Sequence, residues 1–393
     1  MRVRARSRAT ASLFPGWRTK MAAGLPATCQ CAVMTAFNQP IRTQSFRLPS
    51  ELKPGELLIR VELAGMCGTD VHLHKGQLDV PLPLIMGHET AGRVAALGDG
   101  ETRDWLGRPL VVGDRVSFTV GRTCGRCRYC RVYRLPSRCL NRRAYGVNTP
   151  CDSPPHLLGG YGQYHFLHAD TAVFRLADDL PSEAVVGAGC ALVTAVHGFE
   201  RLQMQSGESV VIQGAGPVGL AALALAKDAG GRPCIVIGGP RARLERCRRF
   251  GADLTIDIDE VPDPAKRRRM VLAATEGLGA DMVVECVGLP QAVAEGWELC
   301  RDGGKYLVLG HYGDAGPIAL NPHLITRKEL TVLGSWGSEP QHWVKALELL
   351  RTRRDRYPFH ELITHRFALD QVDQALAAVA NWQTGKAVIV PNA

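Results

Sequence analysis

The stretch SVVIQGAGPVGLAALALAKDAG, residues 209–230, decides the fold. It opens with a short apolar run, continues into the glycine turn GAGPVG, and ends in a run of small apolar residues and leucines. A buried strand, a glycine turn and a helix in this order form the first unit of a dinucleotide-binding sheet. The stretch therefore predicts a Rossmann domain with a doubly wound parallel sheet.

The glycines of this turn have separate roles. Gly214 permits the tight turn, Gly216 lets the backbone approach a pyrophosphate, and Gly219 lets helix and strand pack closely. The free N–H groups at the start of the helix attract phosphates. Because the turn stands between a strand and a helix, we expect it, with Pro217 and Val218 inside it, to bind NAD or NADP.

The position that should select between the two cofactors is ambiguous. An acidic residue that holds the ribose of NAD is expected at the end of the second strand, about 20 residues after the turn. That strand, CIVIGGPRARLERC, has Gly238 and Gly239 at this point and no acid. Arg241 and Arg243 follow, and they either accept the 2′-phosphate of NADP or are solvated residues of a helix. Both cofactors stay open.

The rest of the chain divides into regions of different pattern. After the turn, apolar runs such as LTIDI and DMVVECVG alternate with helical segments, which extends the parallel sheet. Before it, residues 33–120 carry short alternating runs broken by Gly and Pro, typical of a β-barrel. A chain of 393 residues is long for one core. We predict an α/β protein with a basic disordered extension at 1–28, a β-barrel domain at 29–190 completed by 340–393, and the Rossmann domain at 191–339.

Composition and charge exclude several classes of protein. With 46% hydrophobic and 22% charged residues, the chain is typical of soluble globular proteins. It has no run near the roughly 20 uninterrupted apolar residues of a membrane span. The net charge of +9 comes mostly from residues 1–50, which hold eight Lys or Arg and no acid, so 39 basic and 38 acidic residues remain elsewhere. We therefore expect neither a membrane nor a nucleic-acid partner.

The N-terminal stretch MRVRARSRATASLFPGWRTK is Arg-rich, contains Ser and lacks acid, as organellar transit peptides do. A disordered tail explains it equally, as does an upstream extension of the reading frame with Met21 or Met34 as start, and we favour these readings. It lacks the long apolar segment of a secretory signal. We predict a cytoplasmic protein.

Four of the thirteen cysteines lie within sixteen residues, at Cys124, Cys127, Cys130 and Cys139. A secreted disulfide fold would be shorter and denser in cysteine. Four thiolates fill the tetrahedral shell of zinc and leave no position for substrate. The cluster predicts a metal site that stabilises a loop, with a disulfide pair as the alternative.

A second set of metal-binding residues is spread along the chain. GMCGTDVH contains Cys67, GHET contains His88, and GAGCALVTAVHG contains Cys190. Two thiolates and one imidazole leave one tetrahedral position open, as catalytic zinc requires. Each residue alone could be an ordinary core residue. Together, and near a dinucleotide turn, they favour a catalytic site.

These motifs, in the order GMCGTDVH, GHE, CGRCRYC, GAGCALVTAVHG and GAGPVG, resemble the medium-chain zinc-dependent alcohol dehydrogenase family over about residues 31–391. The resemblance implies a GroES-like β-barrel catalytic domain beside the Rossmann domain. It implies catalytic zinc at Cys67, His88 and Cys190, and structural zinc at the four-cysteine cluster. The family usually has seven residues between the third and fourth cysteines, whereas this chain has eight, RVYRLPSR.

The resemblance also assigns roles near the catalytic zinc. Thr69 contacts the substrate alcohol, and His72 passes its proton to solvent. Glu89 is a neighbouring acid that can become a temporary ligand, and Asp70 orients the ligand histidine. Thr194 lies beside the nicotinamide.

The function predicted is zinc-dependent hydride transfer between NAD or NADP and a primary or secondary alcohol, or its aldehyde or ketone, with two zinc ions per chain. One alternative is transient oxidation by bound NAD during epimerisation or elimination; another is a non-catalytic scaffold. The family suggests a homodimer or homotetramer, with ELTVLGSWG as the pairing edge. Five residues could line the substrate pocket or belong to core or surface: Trp105, Tyr145, His156, His311 and Trp336.

Overall fold

The structure is a computed structural model that describes residues 20–21 and 24–393. Residues 1–19 and 22–23, which make up most of the predicted basic extension, lie outside the described residues. The backbone of Lys20–Met21 forms a two-residue strand, β1, that runs antiparallel to residues 96 and 97.

The first region is a β domain with two short helices. Its further strands are β2 (Thr28–Met34), β3 (Arg42–Arg47), β4 (Leu57–Met66), β5 (Leu84–Ile85), β6 (Glu89–Leu97), β7 (Arg115–Phe118), β8 (Gly121–Arg122), β9 (Arg143–Ala144), β10 (Tyr164–Leu167) and β11 (Val173–Arg175). Its helices are α1 (Gly68–His74) and α2 (Arg128–Arg131), with a 3₁₀ turn over Pro136–Arg138.

Helix α3 (Ser182–Leu202) leads from this domain into the next. By length and composition it could cross a membrane, but 78% of its apolar window is buried inside the protein. It packs against helices of the following domain and against β4 and β6. Burial of this kind is that of a core helix. The predicted domain limit at residues 190/191 falls inside α3.

The second region alternates strand and helix. Its elements are β12 (Val210–Gln213), α4 (Pro217–Asp228), β13 (Cys234–Gly238), α5 (Arg241–Arg249), β14 (Leu254–Asp257), α6 (Pro264–Ala274), β15 (Ala280–Glu285), α7 (Pro290–Leu299), β16 (Cys300–Val308), α8 (His323–Arg327) and β17 (Thr331–Gly334). The six strands are parallel in the order β14-β13-β12-β15-β16-β17. The predicted doubly wound sheet is confirmed. The strand order reverses at β12, and ligands of such sheets bind at the carboxyl end of that point.

The C-terminal region returns to the first domain. It contains α9 (Pro340–Thr352), β18 (Ile363–Phe367), α10 (Val372–Ala380) and β19 (Lys386–Ile389), with 3₁₀ turns over Phe359–Leu362 and Leu369–Gln371. The large sheet has the order β11-β7-β6-β4-β19-β18, with β1 on β6 and β10 on β4. Because Ala387 of β19 pairs with Met66 of β4, Lys386 is brought beside the residues that follow β4.

Candidate active site

Four side chains from three parts of the chain converge beneath the junction of the domains. The candidate ligand atoms of Cys67, His88, Glu89 and Cys190 all lie within 4.8 Å of one another. The Cys67 Sγ is 3.4 Å from the Nε2 of His88 and 3.9 Å from the Sγ of Cys190. Two sulfurs, an imidazole nitrogen and a carboxylate oxygen are donors that zinc accepts. The residues present therefore fit this ion.

Local structure explains how each residue reaches the cluster. Cys67 follows β4 directly and is the N-cap of α1. His88 and Glu89 stand at the start of β6, the antiparallel neighbour of β4. Cys190 lies in the middle of α3. Strand pairing thus brings together ligands far apart in sequence.

Asp70 holds the first two ligands in place. It is fully buried, and its Oδ2 accepts a hydrogen bond of 2.9 Å from the backbone N–H of Cys67. Its Oδ1 lies 3.6 Å from the Nδ1 of His88, and neither of these two atoms has a hydrogen-bond partner. Since the Nδ1 of His88 faces Asp70, its Nε2 is left to face the two sulfurs. This is how a second-sphere carboxylate fixes a ligand histidine.

Glu89 is bound on both sides by protein groups. Its Oε1 accepts a hydrogen bond of 2.8 Å from the backbone N–H of Cys190, and its Oε2 contacts the ammonium of Lys386. Both side chains are almost fully buried, at 1% and 3% exposure. Burial opposes ionisation, but Lys386 still lowers the pKa of Glu89, and Glu89 raises the pKa of Lys386. The two form a buried ion pair under the cluster.

Gly189 makes room for this arrangement. It interrupts α3 with φ +52° and ψ −150°. A Cβ at this position would lie 2.1 Å from the Oε1 of Glu89. Only glycine suits both this backbone and this contact.

The thiol chemistry of the cluster also fits a metal. A hydrogen bond from Cys190 is the main reason that the pKa of Cys67 falls to about 6, with the charge of His88 acting in the same direction. The thiolate is the form of cysteine that binds metal ions.

The four-cysteine cluster forms a separate lobe. The Sγ atoms of Cys127 and Cys130 are 3.5 Å apart, those of Cys139 and Cys124 are 3.5 Å apart, and those of Cys127 and Cys139 are 3.9 Å apart. All thirteen cysteines, each within the described residues, are free thiols. The backbone N–H groups of Cys124 and Asn141 donate to the Cys139 sulfur at 3.3 and 3.4 Å. The lobe is therefore a candidate metal centre with four sulfur ligands.

The extra residue in the lobe is accommodated without separating the sulfurs. The chain leaves α2, passes Arg134 with φ +50°, and enters the 3₁₀ turn that ends before Cys139. The eight-residue spacing thus still brings the fourth cysteine to the other three.

Thr69 and His72, the predicted substrate and proton-transfer residues, lie on α1 directly after Cys67. His72 is exposed, and its Nδ1 lies 2.5 Å from the Oε1 of Gln77. Thr194 follows Cys190 by one turn of α3 and is partly buried. The roles of Thr69, His72 and Thr194 stay predictions.

The glycine turn lies at the carboxyl end of β12. Gly216 is the N-cap of α4, which begins with Pro217 and Val218. A Cβ on Gly219 would lie 1.9 Å from the carbonyl oxygen of Gly214, so only glycine permits this close packing. The turn has the geometry that a pyrophosphate requires.

Arg241 and Arg243 have different surroundings in the structure. The side chain of Arg241 is 78% exposed and lies 3.8 Å from Glu245. The guanidinium of Arg243 lies over the ring of Trp382, 4.5 Å from its centre. Its Nη1 is 3.8 Å from the position of a Cβ on Gly216. Of the two arginines, Arg243 is the one beside the phosphate turn.

Of the five possible pocket residues, two line a cavity. Tyr145 is buried and hydrogen-bonds Thr171, His156 bonds the carbonyl of Cys151, and Trp105 is 53% exposed on a loop. His311 and Trp336 line a cavity of about 320 Å³ between the lobe and the Rossmann domain.

Sequence reasoning missed Lys386, Trp382 and Tyr312. Lys386 did leave a signal, because a lysine next to the apolar run AVIV is unusual at the start of a buried strand. Tyr312 stacks on Trp336, with ring centres 5.6 Å apart. Trp382 is recognised only through its contact with Arg243, which no local pattern predicts.

Two family models match the chain. The model described as alcohol dehydrogenase GroES-like domain matches residues 53–178, and the model described as zinc-binding dehydrogenase matches residues 217–352. A 5-exo-hydroxycamphor dehydrogenase from Pseudomonas putida is 35% identical over 355 residues, which are 89% of this chain and 95% of the relative.

Solved structures are similar over the same length. An alcohol dehydrogenase from Thermotoga maritima superposes with a TM-score of 0.89 and 36% identity, covering 93% of this chain and 100% of its own. A zinc-binding dehydrogenase from Sinorhizobium meliloti 1021, solved with NADP bound, gives a TM-score of 0.80 and 26% identity over 93% of this chain and 100% of its own.

Proposed function

The chain belongs to the zinc-dependent alcohol dehydrogenases of the medium-chain dehydrogenase/reductase family, and on that premise we propose that it transfers a hydride between an alcohol and NAD or NADP. The substrate is a primary or secondary alcohol or the matching aldehyde or ketone. The observation that carries the proposal is the convergence of Cys67, His88 and Cys190 at the domain junction that also presents the glycine turn.

In this proposal Cys67, His88 and Cys190 hold the catalytic zinc. When bound, zinc supplies a Lewis acid that stabilises negative charge on the substrate oxygen. Asp70 keeps the imidazole in the tautomer that presents Nε2, because its carboxylate faces Nδ1. Glu89, held by Lys386, keeps the backbone N–H of Cys190 in place.

The proton of the alcohol leaves along α1. Thr69 follows the ligand Cys67 by two residues, and in this proposal its hydroxyl accepts the proton while it gives up its own towards His72. His72 is exposed one turn later and can pass the proton to solvent. The hydrogen bond that the Nδ1 of His72 donates to the Oε1 of Gln77 orients the His72 ring.

The cofactor is held by Gly214, Gly216, Pro217, Val218 and Gly219, with Thr194 on the nicotinamide side. Arg243 favours NADP, because its guanidinium is beside the turn and faces no carboxylate within ion-pair distance among the described residues. Asp257 and Asp259, 3.9 and 3.8 Å from a Cβ on Gly239, are the groups that would favour the free ribose of NAD.

The second zinc of the proposal is held by the lobe cysteines. All four sulfurs serve as ligands, so this ion braces the lobe and takes no substrate. We further propose a cytoplasmic homodimer or homotetramer, in which the exposed edge strand β17 pairs across a two-fold axis.

The test is a panel of alcohols assayed with zinc-loaded protein and with NAD and NADP in parallel. Net formation of reduced nicotinamide is the expected result, with metal analysis giving two zinc ions per chain. Turnover without net reduction would instead indicate epimerisation or elimination. Replacing Arg243 by Gln should raise the KM for NADP about tenfold and the KM for NAD less.

A further inference from the structure

The cavity of about 320 Å³ between the lobe and the Rossmann domain has an unusual charge. Its walls include two arginines, two histidines and no carboxylate. The residues that matter here are Arg138, His197, Arg201, His311, Ser335 and Trp336. They come from the lobe, from α3 and from the carboxyl ends of β16 and β17.

Neither arginine of the cavity is neutralised by the protein. Within residues 24–393, no carboxylate oxygen lies within ion-pair distance of Arg138 or Arg201. Arg201 donates only to the carbonyl of Gly334. A group of positive side chains without acidic partners is stabilised when an anion binds to it.

Two acids that contact residues of the cavity, Glu339 beside Ser137 and Glu285 beside His311, are already in use. Glu339 accepts from the backbone N–H of Ser137 at 3.0 Å and from Gln341 at 2.8 Å. Glu285 is fully buried and accepts from the backbone N–H groups of Val287, Gly288 and Gly310. Neither carboxylate is free to pair with the arginines.

Two arginine side chains lie over the ring of Trp336 and add positive charge at the cavity. Arg138 and Arg142 place their guanidinium carbons 5.1 and 5.2 Å from the centre of its ring. The Nε of Arg142 is buried and has no hydrogen-bond partner, and so are the Oγ of Ser137 and the Oγ of Ser335. The cavity is thus bordered by donors that lack acceptors. A ligand rich in acceptor oxygens would satisfy them.

The cavity is connected to the cysteine and histidine cluster in two ways. His197 and Cys190 lie on the same helix, and the seven steps from one to the other correspond to about 10 Å along its axis. Tyr312 stacks on Trp336 with the rings at 6°. Burial raises the pKa of Tyr312, and the charges of His88 and Arg142 both act to lower it.

We propose that the substrate is an alcohol carrying a carboxylate or phosphate group, and that this anion binds Arg138 and Arg201 in the cavity while the hydroxyl reaches the cluster. The inference rests on the proposed function and deepens it. It names an anionic substrate class.

The test compares matched substrates on the zinc-loaded full-length enzyme. A series of hydroxy acids of increasing length is assayed beside the neutral amides and the phosphate monoesters of the same skeletons. We expect kcat/KM for the better anion to exceed that of the amide by at least about 10-fold, mainly through KM. The advantage should depend on the length of the skeleton, because the hydroxyl and the anion bind at two fixed places. Whether acid or phosphate ester is preferred identifies the anion.

Variants then assign the effect to the cavity. In R138Q/R201Q the preference for anion over amide should fall by about 10-fold or more. R143Q is the matched control, because Arg143 is exposed and follows the lobe without an ion pair among the described residues. Inorganic phosphate should also change the fluorescence of the protein, and this change should be lost in W336F and weakened in R138Q.

Two results would overturn the proposal: amides as good as acids at every length, or equal effects of R138Q/R201Q and R143Q. An unchanged preference together with a smaller assembly in R138Q would make the cavity a subunit contact and would also overturn it. If no alcohol is oxidised but phosphate still acts on Trp336 through Arg138, the proposed function fails while the anion site stands.

Discussion

The two cysteine-rich regions use similar donors but differ in how the fold builds them. The lobe collects its sulfurs from sixteen consecutive residues, and Cys124, Cys127 and Cys130 are only partly buried. The catalytic cluster draws Cys67, His88 and Cys190 from a span of 124 residues; there His88 is buried, and the two cysteines are partly buried. One site is local and closed, whereas the other depends on the whole fold.

This difference teaches where chemistry can occur. Four thiolates saturate a tetrahedral ion, so the lobe can only brace the chain. Three protein ligands leave a position for substrate. The number of ligands, more than the number of cysteines, separates the two roles.

The largest expected effect comes from removing a ligand of the catalytic cluster. Replacing Cys67 by Ala should lower kcat/KM by at least about 1000-fold, since the stabilisation of charge on the substrate oxygen amounts to several kcal/mol. Binding of the dinucleotide, followed by its fluorescence, should persist because the glycine turn is untouched. The matched lobe variant C127S, assayed at low temperature while folded, should keep most of its activity. Equal losses in C67A and C127S would erase the proposed difference between the sites.

The second effect concerns the buried ion pair beneath the cluster. Replacing Lys386 by Met leaves the Glu89 carboxylate buried without its partner, which should cost about 3 to 5 kcal/mol of unfolding free energy. The double variant E89L/K386M should recover most of this loss, because no uncompensated charge remains. Denaturant unfolding of both variants measures the effect.

The control for Lys386 lies next to the lobe. Arg122 and Asp170 form a more exposed pair at 2.6 Å, with side-chain exposures of 19% and 47%. R122M should cost only about 0 to 1 kcal/mol. Similar losses of unfolding free energy in R122M and K386M would show that breaking the buried ion pair costs no more than breaking the more exposed one.

These cases show what the sequence could and could not predict. The parallel sheet follows from local patterns, because GAGPVG and the alternating runs act within one strand and one helix. The gathering of Cys67, His88 and Cys190 was predictable only through the resemblance to a family, since strand pairing brings them together. Lys386 was missed because its partner Glu89 is 297 residues away. Pairing between distant segments of one domain leaves no periodic signal.

A smaller effect is expected from the lobe itself. Losing one sulfur in C127S should release the metal that closes a loop of about 15 residues, at a cost near 3 kcal/mol by analogy with a cross-link of that length. Metal analysis should fall from two zinc ions to one. Thermal unfolding of C127S beside V132S, which alters only an exposed side chain of the lobe, gives the cost. Loss of both ions in C127S would contradict the independence of the two sites.

The smallest effect concerns His165, a buried histidine that differs from His88 because it has no carboxylate beside it. His165 lies between Phe118 and Tyr145, and neither of its ring nitrogens has a hydrogen-bond partner. Burial lowers its pKa from 6.5 to about 3. Below pH 6.5 the unfolded chain therefore binds a proton that the folded protein refuses.

It follows that the ionisation of His165 does not reduce the unfolding free energy above pH 6.5. Below this pH it reduces the unfolding free energy progressively, until the pH reaches about 3. The slope should be about 1.4 kcal/mol per pH unit. H165N removes this titration, so its unfolding free energy should fall less steeply than that of the unmodified protein between about pH 6 and pH 5. A loss of packing in H165N would shift the curve without changing its slope. H360N, which alters an exposed histidine, should keep the original slope. Parallel curves for all three proteins would mean that His165 titrates normally, and that a buried histidine here needs no partner.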